Sequence, residues 1–131
     1  FWNSFARAAR RNSAEALGLM QHILSKLNQT PGVIGSFIVD EGGMIVVAAA
    51  GDHFDDEVVG ALASAVSNIV ERSSALLDLG EAKSFVLETE RAKLFFSPSR
   101  KGYLVTMAER EANVGLLRME MKTAVRALDA A

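Results

Sequence analysis

Residues 31–50 read PGVIGSFIVDEGGMIVVAAA, and this stretch decides the fold. Two short apolar runs rich in β-branched side chains, Val33–Val39 and Met44–Ala50, flank Asp40-Glu41-Gly42-Gly43. The glycines supply the positive φ angles of a tight turn, so the two runs are expected to pair as antiparallel strands. A glycine-rich turn can also cradle phosphate. Here the G-x-x-x-x-G-K-[ST] pattern is missing and no helix opens directly after the turn, so the hairpin reading stands.

Upstream, Thr30-Pro31-Gly32 is a helix stop, because proline cannot continue the hydrogen-bond ladder and the residue before it avoids the αR region. The helix it ends is expected to start at Asn12, with Glu15 three residues on completing a capping box. Its apolar stripe is Leu17, Met20, Leu24 and Leu27. Residues 1–11 differ in composition, with Trp2 and Phe5 among Arg7, Arg10 and Arg11. They are weakly amphipathic at helical spacing, but two large apolar residues make a poor membrane-surface helix. The stretch is expected to be a partly ordered leader, or a helix docked on its own domain, ahead of a single domain at 12–131. Because the chain begins with Phe1, it is expected to be trimmed or a piece of a longer protein. Nothing near Phe1 has the sections of a secretory signal.

Downstream, Phe54–Leu79 is expected to be the longest helix. Asp52, Asp55, Asp56 and Glu57 crowd its start, where the macrodipole favours anions, and Leu79-Gly80 offers an αL cap at its end. Val58, Leu62, Val66, Ile69 and Leu76 form a stripe expected to face the sheet. Gly60, Ser64 and Ser67 on the opposite face are small, and no charge occurs between Glu57 and Glu71. An ordinary surface helix would carry lysines and glutamates there, so this helix is expected to have a second neighbour.

Ala82–Thr89, Ala92–Ser97 and Tyr103–Glu109 alternate as strands, with Phe85 and Leu87 on one side of the first and Ser84 and Val86 on the other. Asn113 caps a last helix with the stripe Val114, Leu117, Met121, Val125 and Leu128, while Arg118, Lys122 and Arg126 lie off it. The expected fold is an α+β sandwich of order α-β-β-α-β-β-β-α. It has a five-stranded, mostly antiparallel sheet flanked by helices on both faces.

Composition excludes several functions. Fourteen basic and sixteen acidic residues leave a net charge of -2, without the basic excess that nucleic acid demands. The absence of cysteine removes disulfides, thiolate metal sites and cysteine nucleophiles, and is compatible with a cytoplasmic location. No apolar run approaches the roughly 20 residues of a membrane span.

Candidate chemistry is thin. His53 beside Asp52, Asp55 and Asp56 is read as part of a capped helix start rather than a metal site, since metal ligands converge from separate places. His22 has no acidic partner one turn away. No serine sits in G-x-S-x-G, and Glu88 and Glu90 are read as the solvent side of a hairpin. Met107, Met119 and Met121 are taken as packing residues. No cofactor, metal or catalytic constellation is expected.

The element order, with Pro31-Gly32-Val33, Val39-Asp40-Glu41-Gly42, Leu79-Gly80, Leu104-Val105 and Asn113-Val114-Gly115-Leu116-Leu117-Arg118, resembles the roadblock / dynein light chain family. The likeness is greatest to its bacterial branch, which regulates Ras-like small GTPases, and spans Ala14 to Leu128. The extra Gly43 and the aromatic leader depart from the family pattern. The resemblance implies a homodimer. In it the strand at Ala82–Thr89 pairs with its copy through Ser84, Phe85, Val86 and Leu87, and the long helices pack antiparallel through Ala61, Ala65 and Asn68.

The expected function is therefore a non-enzymatic binding module for a Ras-like small GTPase, contacted through Gly60, Ser64, Ser67, Glu71 and Ser74 on the paired helices. If hydrolysis is promoted, reshaping of the GTPase's switch loops is favoured over an arginine finger from Arg91, Arg100 or Arg110. Two other functions compete. One is a scaffold subunit of a larger, motor-type assembly with no effect on nucleotide turnover. The other is a small-ligand sensor, which needs a polar-lined cavity that the apolar core pattern disfavours.

Overall fold

A computed structural model describes the backbone of residues 2–51 and 54–131, and the side chains within those ranges from Ser13 onward. The hairpin forms as β1 (Val33–Val39) and β2 (Ile45–Ala49), with Phe37 opposite Ala48 and a register shift between Ile38 and Val39. Gly43 takes φ +84° in the turn. The Asp40 carboxylate accepts from the backbone N–H groups of Gly42 and Met44 at 3.0 and 2.9 Å, closing the turn locally.

Three further strands follow, β3 (Phe85–Glu88), β4 (Ala92–Ser99) and β5 (Gly102–Glu109). The sheet runs β2-β1-β5-β4-β3 and every pairing is antiparallel. Helices α1 (Trp2–Leu27) and α3 (Val114–Ala130) cover one face, and α2 (Asp56–Leu76) crosses the other. The α+β sandwich and its element order are as the sequence predicts.

Strand alternation divides the core into two layers. Ile38, Phe95 and Leu104 point to α1 and α3, where Leu24, Leu27, Leu117, Met121 and Leu128 meet them. Phe37, Val39, Phe96 and Val105 point to α2. Asn113 caps α3 by accepting from the Leu116 N–H at 2.9 Å, and Asp55 caps α2 by accepting from Glu57 and Val58.

Four local expectations are corrected. α1 runs unbroken through Asn12, because Ala6–Arg11 are strong helix formers with no breaker among them, so no capping box opens there. Leu17 and Met119 are exposed, not packed in the core, which Ile23 and Ala124 enter instead. The αL residue after α2 is Asp78 (φ 55°), not Gly80. The Asp78 N–H bonds back to the Ala75 carbonyl and Leu79 to that of Ser74, a Schellman closure. Finally, α2 is rotated: Gly60, Ala63 and Ser67 face the sheet together with Val59 and the expected Val66, whereas Val58, Leu62, Ile69 and Leu76 face out.

That orientation has a clear cause. The sheet face under α2 is filled by Phe37, Phe85, Phe96 and Tyr103, with Phe54 packing on Phe37 edge to face at 6.0 Å. Phe85 stacks on Phe96 at 4.5 Å. With so much bulk on the strands, the helix side must be small. Gly60 and Ala63 are buried, and a Cβ on Gly60 would overlap the carbonyl oxygen of Gly43. In a solvated helix Gly→Ala gains about 1 kcal/mol. Gly60→Ala is expected to reverse that sign and lose about 2 kcal/mol, because α2 must lift off the hairpin turn; urea denaturation measures it.

Candidate partner-binding surface

The reversal of α2 rewrites the site read from the sequence. Gly60 and Ser67 are buried, and Ser64 and Ser74 are half-buried. Ser64 Oγ donates to the Glu41 carbonyl in the hairpin turn at 3.3 Å, and Ser67 Oγ donates to the Ala63 carbonyl at 2.6 Å. Glu71 is exposed but engaged, accepting from the Tyr103 hydroxyl at 2.6 Å. Gly60, Ser64, Ser67 and Glu71 are therefore turned to the chain's own hairpin and sheet, with Ser74 half-buried beyond them, and the expectation that these residues form an outward partner face is corrected.

The face that is outward is largely apolar, with exposed Arg72 standing between Ile69 and Leu76. Val58, Leu62, Ile69 and Leu76 are 61%, 44%, 66% and 80% exposed, and Leu77 and Leu79 continue the surface beyond the helix. With Ala65 they recur at spacings of three, four and seven residues, the spacing of a helix–helix seam. A stripe of this kind marks an interaction surface in a soluble domain. The sequence pattern picks out Val58, Leu62, Ile69 and Leu76 as one stripe and directs it to the sheet. The clue to the true orientation is Gly60, whose missing Cβ lets the helix press against the hairpin turn.

The residues assigned to a dimer interface all keep accessible surface. Ala61, Ala65 and Asn68 lie on the exposed side of α2, Ser84 and Leu87 are exposed, and Phe85 and Val86 are half-buried. β3 is an edge strand with β4 as its single neighbour, so its outer row of backbone groups is open. The other edge is treated differently. Gln21 of α1 and Asn28 of the turn that follows it donate to the carbonyls of Ala48 and Ala49 on β2, at 3.1 and 2.6 Å.

Nothing catalytic gathers on these surfaces. Asp52 and His53 lie outside the described residues, and among the described residues no cluster of metal-ligating side chains occurs. His22, Arg91 and Arg100 are exposed, and exposed Arg110 pairs with neighbouring Glu111 at 3.3 Å. The buried polar side chains Thr30, Ser36, Ser67 and Thr106 do not line a shared cavity. No described helix is long and apolar enough to cross a membrane.

The model of the Roadblock/LC7 domain matches residues 19–108, more than half of the chain. The chain belongs to the Roadblock/LC7 family. Its sequence is 31% identical over 112 residues to the uncharacterized protein MJ1340 of Methanocaldococcus jannaschii, covering 86% of this Roadblock/LC7 chain and 98% of that one. Among solved structures it is similar to Myxococcus xanthus MglB, with a TM-score of 0.81, 17% identity and 87% of each chain covered. It is also similar to an MglB in a tetrameric arrangement, with a TM-score of 0.78, 16% identity and 88% of each chain covered. At those identities the structures speak to the fold, which they share with this Roadblock/LC7 domain.

The Tyr103–Glu71 bond pins the C-terminal half of α2 to β5. Burial first, and then the hydrogen bond to Glu71 and its negative charge, push the Tyr103 phenol well above its ordinary value of about 10. The neutral phenol is thus favoured by folding. Its contribution is complete below about pH 10, where the unfolded tyrosine is also neutral, and declines as pH rises above that. Tyr103 is the chain's single tyrosine. Phenolate absorbance of the native protein should therefore emerge well above pH 10, and Tyr103→Phe should lose about 1 kcal/mol at pH 8 in urea titrations.

Proposed function

We propose that this Roadblock/LC7 domain is a homodimeric protein-binding module that engages a Ras-like small GTPase and regulates its nucleotide cycle. The observation that carries this reading is the exposed apolar row of α2, Val58–Leu62–Ile69–Leu76, broken by a single charge at Arg72, beside an open β3 edge. A lone chain would leave both in water, at an aggregation cost that pairing removes.

Two-fold pairing of β3 with its copy joins the two sheets and brings the α2 helices alongside one another. β2 is a poorer candidate because Gln21 and Asn28 already bond to two of its carbonyls. Leu87, exposed on the α2 side of β3, next to Leu94 and Met107 on the neighbouring strands, gives the joined sheets an apolar floor beneath the second helix. The tetrameric arrangement of one similar MglB supports self-association in proteins of this fold. GTPase regulation rests on the resemblance to the bacterial branch, and it requires only that the paired helices form a surface complementary to the switch loops. Arg91, Arg100 and Arg110 offer little for direct transition-state stabilisation, since none of the three lies on α2 and Arg110 is held by Glu111; the arginine that does lie on α2 is the exposed Arg72.

Light scattering should give twice the 14.1 kDa chain mass for the wild type. Leu87→Asp at the edge and Ile69→Arg on the stripe should each yield a folded monomer, since both side chains are exposed in the single chain. A wild-type monomer at tens of micromolar, a concentration at which a weak interface of about 1 μM Kd would already be filled, would sink the dimer. With a Ras-like GTPase added, stimulated hydrolysis by wild type and not by Ile69→Arg is the expected outcome. Binding without any change in hydrolysis would select the scaffold reading.

A further inference from the structure

The other face of the sheet also carries an unfilled surface. α3 packs over β4 and covers the α1/α3 side of β3 only in part, leaving Val86 half-buried. Between β3 and the flank of α3 lies a groove of about 460 Å³, with Val86 on its strand side and Met119 and Val125 on its helix side. Met119 is 60% exposed, although the sequence reads as if it belonged in a core. Lys83, Arg118 and Lys122 line the same groove, and no aspartate or glutamate does. All three are exposed, and among the described residues none of them forms an ion pair. In a chain whose net charge is -2, this is a local concentration of unopposed positive charge over an apolar floor.

We propose that this groove docks an acidic amphipathic helix of a partner protein. Its apolar side would rest on Val86, Met119 and Val125, and its carboxylates would meet Lys83, Arg118 and Lys122. Arg118 and Lys122 stand one helical turn apart, so their charged groups match carboxylates at the same i, i+4 spacing on a facing helix. An apolar floor rewards a helix with one greasy side and gives a phosphate backbone nothing to touch. A concave groove also fits a helix better than a flat lipid surface. The site uses the face of β3 rather than its hydrogen-bonding edge, and it does not involve α2. It shares Ser84, Phe85 and Val86 with the strand proposed to pair, yet needs no second copy to be complete, so its test is separate from that of the dimer and GTPase reading above.

The test uses the whole chain and a fluorescein-labelled designed peptide of roughly 18 residues, about 27 Å long as a helix, with leucines on one side and glutamates on the other. A peptide of the same composition in scrambled order is the control. The ordered peptide is expected to bind with a Kd of about 10–100 μM, and to weaken several-fold when salt rises from about 0.05 to 0.3 M. The double variant Arg118→Glu, Lys122→Glu should weaken it at least tenfold, whereas Arg126→Glu, also exposed on α3 but outside the groove, and Ile69→Arg on α2 should not. Circular dichroism checks that each variant is folded. No binding up to about 1 mM overturns the proposal. So does equal binding of the scrambled peptide, loss of binding in Ile69→Arg, or insensitivity to the double variant. Tighter association with phosphatidylglycerol vesicles than with the peptide, abolished by the same double variant, would assign the groove to a lipid surface and overturn it as well.

Discussion

Gly60 lies so close over the β1–β2 turn that a Cβ there would meet the Gly43 carbonyl oxygen. A Cβ on Gly43, itself at φ +84°, would come within 3.2 Å of the Gly60 carbonyl oxygen. This contact sets the height and the rotation of α2. Once the helix touches the turn at Gly60, Ala63 and Ser67 must also face inward, because they share its side of the helix. The volume between helix and sheet is then supplied by the aromatic strands, and Ser64 ties the helix to the turn through the Glu41 carbonyl. Further along, Glu71 reaches Tyr103 and pins the helix to β5. Val58, Leu62, Ile69 and Leu76 are left on the outside as a direct consequence, while Val59 and Val66 pack on the sheet.

The two sheet edges carry the same logic into assembly. β2 and β3 both end the sheet, but Gln21 of α1 and Asn28 just after it bond to carbonyls on β2, and Asn28 itself accepts from Ser36 Oγ. β3 has no such bonds among the described residues and is four residues long, half the length of its neighbour β4. A short edge strand resists indiscriminate pairing, yet can join a copy of itself when apolar contacts on the helix layer add to the backbone bonds. The exposed side of α2 supplies those contacts. Edge and stripe are thus two parts of one unsatisfied surface, produced by one close helix–hairpin approach.

Much of this was legible in the sequence. Period-two runs, the Asp40–Gly43 turn, the Asn113 cap and the stripe Leu117–Met121–Leu128 each state their local structure through backbone or side-chain rules that tertiary context did not override. The misreadings share a cause. At Asn12 a capping signal stood inside a run of good helix formers, and propagation costs an existing helix little, so the helix ran on. On α2 both faces were free of charge between Glu57 and Glu71, so periodicity located the stripe but could not say which side was inside. Size was a misleading guide there. Close packing fills volume from either partner, and here the sheet supplies the bulk. Asp78 in the αL position instead of Gly80 is a smaller case, since aspartate tolerates that region at modest cost.

The short strand β3 is where these constraints meet. Its edge is open, its α2 side carries Leu87, and its other side carries Val86 beneath the basic flank of α3. In the proposed dimer β3 occupies the centre of the joined sheet, and each of its surfaces lies beside the equivalent surface of the copy. Two basic grooves would then lie near the two-fold axis on the α1/α3 face, with the paired α2 helices on the other. Surfaces on opposite faces of one sheet do not compete for space. A dimer built on this strand therefore has the geometry to hold one partner on its α2 helices and a second on its grooves at the same time. That is an arrangement suited to a module that places one protein against another.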